Sequence, residues 1–340
     1  MRFKRLSIFI AGIAWLITSI LAGCETSQLH RYDHYMNVKD YSAAKKLIQE
    51  KIQENPYNQE SHLLLGEVHL ELREYEEARS AFNNSRYTSS EYTNRVQLLS
   101  EKHYRKEYKA GVQAMQKENY EESLINFMKA AEIDPERHEI YPALGFSFFN
   151  LGNYDKAYDS YLQATVLDGS DANSFHALSE LAFRQGKISE AADYALQAAD
   201  IDNDHLAAHE MLVYTGVKLE EYEHAELAFQ AIPENQRSFK LSKDYAFALF
   251  NQGKYESVRP HLESLDKLYP DNETILQALA ETYHHLNQYE DMANIYEALW
   301  QKNPEDVDVL VNLIEAYDMT GDKNKADKFK ERLQEVNSNS

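Results

Sequence analysis

From Glu25 to the end of the chain, apolar and polar positions recur with two alternating helical patterns. The first pattern is seen in "IYPALGFSFFNLG", where Tyr141, Leu144, Gly145 and Phe148 fall on one stripe of a helix. The second follows at once in "NYDKAYDSYLQA", Asn153 to Ala164, again with the spacing of an amphipathic helix. Gly152, Gly186, Gly253 and Gly321 stand between such pairs of stripes, where a glycine just past a helix end would sit. Pro56, Pro135, Pro270 and Pro304 follow the second stripe, and proline cannot continue a helix. The pattern therefore predicts helix pairs, with "LGFSFFN" and "YDKAYDS" as members of one pair.

The pair repeats. Blocks in the phase of "NYDKAYDSYLQA" occur nine times, and seven open on Tyr: Tyr41, Tyr75, Tyr120, Tyr154, Tyr222, Tyr255 and Tyr289. Ile188 and Lys323 replace it in the other two. Three residues later a small side chain recurs, as at Ala44, Ala78, Ser123, Ala157, Ala191, Ala225 and Ala326. The steps between blocks are 34, 45, 34, 34, 34, 33, 34 and 34 residues. With its Leu-Gly pairs ("LLLGEVHLEL", "ALGFSFFNLG") and its Tyr-x-x-Ala-x-x-x-aromatic blocks, the chain resembles the tetratricopeptide repeat (TPR) family. The resemblance implies an all-α fold, a right-handed α-solenoid of about nine helix-turn-helix units. It also implies that Gly66, Gly111, Gly145, Ser179, Ala246 and Ala280 on first helices pack against the small residue of the second. Tyr154 is expected at a packed repeat junction, so that Tyr154→Ala would be strongly destabilising. Lys323 and Lys330 replace apolar residues in the last unit, as suits a C-terminal cap facing water.

One step is irregular. Eleven extra residues precede the third block, and nothing from Glu91 to Ala110 is Pro or Gly. Val96, Leu99, Tyr104, Tyr108, Val112 and Met115 recur at helical spacing, which predicts a first helix lengthened by about three turns, roughly 16 Å. Such a helix would be a protrusion or a hinge; the other reading is an insertion carried in a loop. On this basis residues 24–92 hold repeats one and two, and residues 93–340 hold the long helix, repeats three to nine and the polar cap.

The first 23 residues follow a different pattern. "MRFKR" is basic, and Leu6 to Ala22 carries no charge. The apolar run ends Leu21-Ala22-Gly23-Cys24, and Cys24 is the only cysteine of the chain. This ending resembles the bacterial lipobox, which implies cleavage between Gly23 and Cys24 and acylation of Cys24. Residues 1–23 would then be a signal peptide. An uncleaved signal anchor is the other reading, and both place the rest outside the cytoplasm. Glu25 rather than Asp follows the cysteine, which favours the outer membrane, facing the periplasm, over an inner-membrane anchor.

Charge narrows the partners. The formal net charge is −21, and loss of Arg2, Lys4 and Arg5 with the leader makes it more negative. Such a chain repels phosphate backbones, so no nucleic-acid partner is expected. A single Cys allows no intrachain disulfide and no paired-cysteine metal motif. His30 and His34 have chelating spacing but no third ligand, so neither metal nor cofactor is expected.

By the family's geometry, a concave groove would be lined by Tyr108, Val112, Phe146, Phe149, Phe183, Tyr214, Phe247 and Phe250. Aromatic rings there suit an apolar or amphipathic peptide. Glu67, Glu71 and Asp33 near one end, with Glu281, Glu315 and Asp318 near the other, suggest a ligand with basic flanks. The function expected is a lipid-anchored periplasmic scaffold that binds a protein or peptide partner and assists an envelope complex. The pilus, secretion, polysaccharide-export, outer-membrane and cell-wall machineries are the classes considered. No hydrolase, nucleotide-binding or metalloprotease motif is present, and the nine units leave no stretch for a catalytic domain. A transferase-like TPR enzyme and a self-assembling homo-oligomer are the alternatives.

Overall fold

The computed structural model describes residues 29–85, 90–270 and 272–339. Gly23 and Cys24, and with them the signal peptide and lipidation site, lie outside the described residues. Those described form helices and turns, with one 3₁₀ turn at Glu234–Gln236 and no strand. The chain divides into two compact units, one ending at Gly169 and one beginning at Ser170. Among the described residues, no helix is long and apolar enough to cross a membrane.

The first unit holds four helix pairs. These are α1 (29–37) with α2 (Tyr41–Glu54), α3 (Gln59–Leu72) with α4 (Tyr75–Ser85), α5 (Ser90–Gln116) with α6 (Tyr120–Ile133), and α7 (Ile140–Asn150) with α8 (Tyr154–Leu167). The second unit holds five: α9 (Ala172–Arg184) with α10 (Ile188–Ile201), α11 (Leu206–Lys218) with α12 (Tyr222–Ala231), α13 (Phe239–Asn251) with α14 (Tyr255–Leu268), α15 (Glu273–His285) with α16 (Tyr289–Lys302), and α17 (Val307–Thr320) with α18 (Lys323–Asn339). The all-α repeat architecture expected from the pattern is the architecture observed.

Each pair turns through one left-handed residue. Gly152, Gly186, Gly253 and Gly321 have φ between 68° and 82°. Lys39, Arg73, Glu118, Glu220 and Asn287 take the same place in the other five pairs, with φ between 57° and 61°. The backbone demands the conformation whether or not glycine is present. First helices begin on side-chain caps: Asn58, Asp171, Ser238, Asn272 and Asp306 each accept from a backbone N–H three residues on.

The first helices approach the second through the glycines, but against a different partner from the one expected. A Cβ on Gly66 would lie 2.3 Å from Phe82, on Gly111 2.7 Å from Phe127, and on Gly145 2.9 Å from Tyr161. The absent side chain makes room for the aromatic ring of the second helix, whose atoms are the nearest at all three glycines. Ser179 keeps a side chain by donating its hydroxyl to the Ala191 carbonyl at 2.6 Å. Gly216 does face a small residue, Ala225, 3.0 Å from the Cβ it lacks.

The extra residues before the third block are helical. α5 has 27 residues where the other first helices from α3 to α17 have 11 to 14. Val96 and Tyr104 are buried, with Leu99, Tyr108, Val112 and Met115 packed around the same core. The long helix covers Tyr75 of α4, which is 1% exposed, and that apolar cover is why the insertion is not a loop.

Tyr154 corrects a second expectation. Its ring is 43% exposed and meets Phe149 edge-on at 5.5 Å. The signature tyrosine here packs on the aromatic residue five positions back, across the turn, rather than in the core. In the last pair, Lys323 is exposed and Lys330 pairs with Asp318 at 3.0 Å, while Phe329 supplies the buried ring on Tyr317 and Trp300.

Candidate partner-binding face

The candidate residues fall on first helices of both units. In the first unit, Tyr108 and Val112 lie on the core side of α5. Tyr108 stacks on Tyr104 at 5.7 Å and tilts against buried Phe127 at 5.4 Å. Phe146 points outward; it is 43% exposed and touches Tyr120 edge-on at 6.0 Å. Phe149 sits at the end of α7 against Tyr154. Phe146 and Tyr108 are thus not alike: one ring offers surface, the other fills the core.

In the second unit, Phe183 is half-buried near the end of α9. Tyr214, Phe247 and Phe250 are half-buried against the core of α11 to α15. Phe247 and Phe250 open a file of rings that continues beyond the expected set. Phe247 lies 6.2 Å from Phe250, and Phe250 5.9 Å from Tyr255. Tyr255 stacks on His285 at 4.0 Å with planes 10° apart. His285 meets His284 edge-on at 5.6 Å, and His284 meets Tyr289 at 6.0 Å. The file crosses two repeats because each begins its second helix with Tyr and ends its first with an aromatic residue. Tyr255 and Tyr289 are legible in the sequence as block-opening tyrosines; their alignment with His284 and His285 into one file is not, since it depends on how neighbouring repeats stack.

The charges around these rings differ from the expected acidic ends. Glu67 accepts from Tyr32 and pairs with Arg95 at 3.0 Å. Glu71 accepts from Tyr41 and pairs with Lys102 at 3.3 Å and His103 at 3.4 Å. Glu315 meets His284 at 3.2 Å, and Asp318 is held by Lys330. These carboxylates are occupied within the repeats, so they do not call for basic flanks on a ligand. Lys240 lies 5.7 Å over the Tyr214 ring and Lys243 5.8 Å over Phe239, and neither has a carboxylate partner among the described residues. Buried phenols near carboxylates are held high. Tyr283 is pushed up to about 12 by burial, then by the charge and hydrogen bond of Glu263.

Three family models match the chain: tetratricopeptide repeat over residues 36–89, tetratricopeptide repeat over residues 143–205, and the N-terminal TPR repeats region of Psidin over residues 213–339. These stretches are tetratricopeptide repeats. The TPR pairs observed from α2 to α18 agree with them in step and in helix content. Several solved TPR structures are similar at low identity. A tetratricopeptide repeat protein from Parabacteroides merdae is 16% identical, over 68% of this chain and 98% of that one, with a TM-score of 0.45. The C-terminal part of a TPR protein from Cytophaga hutchinsonii is 16% identical, over 68% and 96%, with a TM-score of 0.47. The first TPR of Spaghetti (RPAP3), bound to an HSP90 peptide, is 16% identical over 34% of this chain and 93% of its own, with a TM-score of 0.34. No curated protein sequence matches the chain.

Proposed function

We propose that this TPR protein is a lipid-anchored scaffold of the bacterial envelope, held through Cys24 and facing the periplasm. It binds a segment of a partner protein along its first helices and the adjoining starts of the second, and so assists assembly of an envelope complex. The anchoring half of the reading rests on Leu21-Ala22-Gly23-Cys24. The binding half is carried by the file of rings from Phe247 to Tyr289. Partly exposed rings held by their neighbours offer contact area at little cost in side-chain entropy. Lys240 and Lys243 beside them favour a partner segment in which an acidic residue adjoins apolar or aromatic ones.

The test is site-specific photo-crosslinking in cells. A photoreactive residue at Phe247, or at Phe146 in the first unit, is expected to trap one discrete partner. The same probe at Asp193, exposed on a second helix, is expected to trap none. A product from Asp193 alone would move the binding face elsewhere. In the same cells, Cys24→Ser is expected to abolish incorporation of a clickable fatty acid; labelling that persists would refute the anchor. Phe247→Ser should weaken capture at least tenfold, since one aromatic anchor is worth about 1.4 kcal/mol or more.

A further inference from the structure

The second helix α12 stops early. It has 10 residues, where α8, α10, α14 and α16 have 14. Pro233 follows its end, and the chain leaves through the 3₁₀ turn Glu234–Gln236. The last turn of helix present in neighbouring repeats is missing here. A cleft of about 940 Å³ opens between α12 and α14, floored by α13. Its volume lies in the range of small-ligand sites, roughly 300–1,000 Å³.

The cleft is built rather than merely open. Phe229, Tyr245, Leu249 and Leu265 form a buried apolar floor. Phe229 stacks on Tyr245 at 4.9 Å, and His261 stands edge-on to both at 5.2 Å. Glu226 is already satisfied: it accepts from the Tyr245 hydroxyl at 2.7 Å and Gln230 at 2.6 Å, and pairs with His261 at 3.0 Å. It has no call on a further cation. The cations are the unsatisfied groups. Arg237 lies with its guanidinium carbon 4.5 Å over the Phe229 ring, and its Nε donates to the Ile232 carbonyl at 2.9 Å. That tie and the ring fix the guanidinium plane while leaving both Nη groups unused. Lys254 lies 5.7 Å over Tyr222. Neither has a carboxylate partner among the described residues, although Glu223 and Glu234 also line the cleft. Those two acids are exposed, where water and salt screen them; Arg237 is half-buried on an apolar wall.

We propose that this cleft is a binding site for a carboxylate with an aromatic or branched apolar body, either a free organic acid or the C-terminal residue of another chain. Arg237 takes the carboxylate through its Nη groups, Lys254 adds a second positive charge to the same cleft, and the body rests on the leucines of α14 that line it, Leu265 and Leu268. The site is walled by the second helices α12 and α14 over a floor from α13, and it does not depend on the partner-binding reading above.

The experiment titrates the full-length chain with phenylpropionate, and separately with N-acetyl-Ala-Ala-Phe as free acid and as C-terminal amide, by ligand-detected NMR. Phenylpropanol is the uncharged control. At least one acid is expected to bind, with the alcohol and the amide at least tenfold weaker. Arg237→Gln should lower acid affinity at least tenfold and Lys254→Gln about threefold. Ser257→Trp, filling the cleft from an exposed wall position, should abolish binding. Lys254 and Ser257 are exposed, so these two variants keep the test valid if Arg237→Gln lowers the melting temperature. Binding by phenylpropionate alone identifies a free acid as the ligand, and binding by the peptide acid alone a chain terminus. The proposal is overturned if neither acid binds, if the alcohol binds as well as the acid, or if all three variants bind like the parent.

Discussion

At the scale of single residues, the chain's 24 tyrosines, against 14 Phe and 2 Trp, have a structural use. Tyr hydroxyls donate to glutamates of another helix again and again: Tyr32 to Glu67, Tyr41 to Glu71, Tyr75 to Glu107, Tyr245 to Glu226, Tyr283 to Glu263 and Tyr317 to Glu297. A ring buries apolar area while its hydroxyl satisfies a carboxylate that the acidic chain must place somewhere. The most demanding case is Glu107, whose side chain is 1% exposed and whose other partner, Arg73, is 3.5 Å away. Tyr75→Phe is therefore expected to cost about 1.5–3 kcal/mol in urea unfolding. Tyr283→Phe, at a half-buried bond, should cost roughly 0.5–1.5 kcal/mol. Equal effects would mean the burial of Glu107 is immaterial. Histidines give a pH dependence. Burial pulls His103 below its ordinary value of 6.5, helped by Lys102 and Lys106 and opposed by Glu71. Burial and then His205 do the same for His176, opposed by Glu180. In the fold these rings stay neutral at a pH where the unfolded chain takes a proton. Their contribution is therefore present above 6.5 and lost as pH falls below it through the folded values. The urea midpoint should drop between about pH 7 and about pH 5, and drop less in His103→Gln. An unchanged slope in that variant would count against the assignment.

At the scale of elements, the turn within each pair decides more than the residue that occupies it. Five of the nine turns force Lys39, Arg73, Glu118, Glu220 and Asn287 into the left-handed region. A Cβ there costs on the order of 1 kcal/mol or more, and the packed helices on either side hold it in place. Glu118→Gly and Glu220→Gly should each stabilise by roughly 0.5–1 kcal/mol, the removed strain exceeding the added freedom of the unfolded chain. Gly152→Ala should destabilise by about 1 kcal/mol. Thermal unfolding checks both signs, and a destabilising Glu118→Gly would show that its side chain matters more than its φ. Helix length is the other decision at this scale. α12, with 10 residues, is a short second helix, and it borders the cleft of about 940 Å³.

At the scale of the whole molecule, repeat proteins gain stability from each unit and its immediate neighbours. A disturbance in one repeat should accordingly stay local. Gly66→Ala would set a Cβ 2.3 Å from Phe82, and relieving that overlap should cost about 1–3 kcal/mol. Hydrogen exchange is expected to quicken in α2 to α6 and to stay unchanged in α13 to α18. Uniform quickening would show a cooperativity that nearest-neighbour packing does not supply. The placement of candidate residues obeys the same locality. Phe146, in edge-on contact with Tyr120, still offers surface, whereas Tyr108 is enclosed by Tyr104 and Phe127 of its own neighbourhood.

The sequence by itself determined the helix pairs, their number and their step. Those follow from local periodicity, from proline and glycine punctuation, and from a stripe that no single pair can bury alone. For the eleven extra residues it offered a longer helix, because Val96, Tyr104 and Tyr108 keep the helical phase, against an insertion in a loop, and the structure decided for the helix. Only the tertiary structure decided which rings are core and which are surface. Tyr75 and Tyr154 hold the same place in the repeat, yet one is 1% exposed and the other 43%, because the long α5 covers the first while the second keeps an open side beside Phe149. Only the structure paired the acidic residues, since Glu71 finds Tyr41, Lys102 and His103 some thirty residues away in either direction. And only the structure opened the cleft beside α12. The 33-residue step and Pro233 are visible in the chain, but a cavity is defined by what neighbouring helices fail to fill.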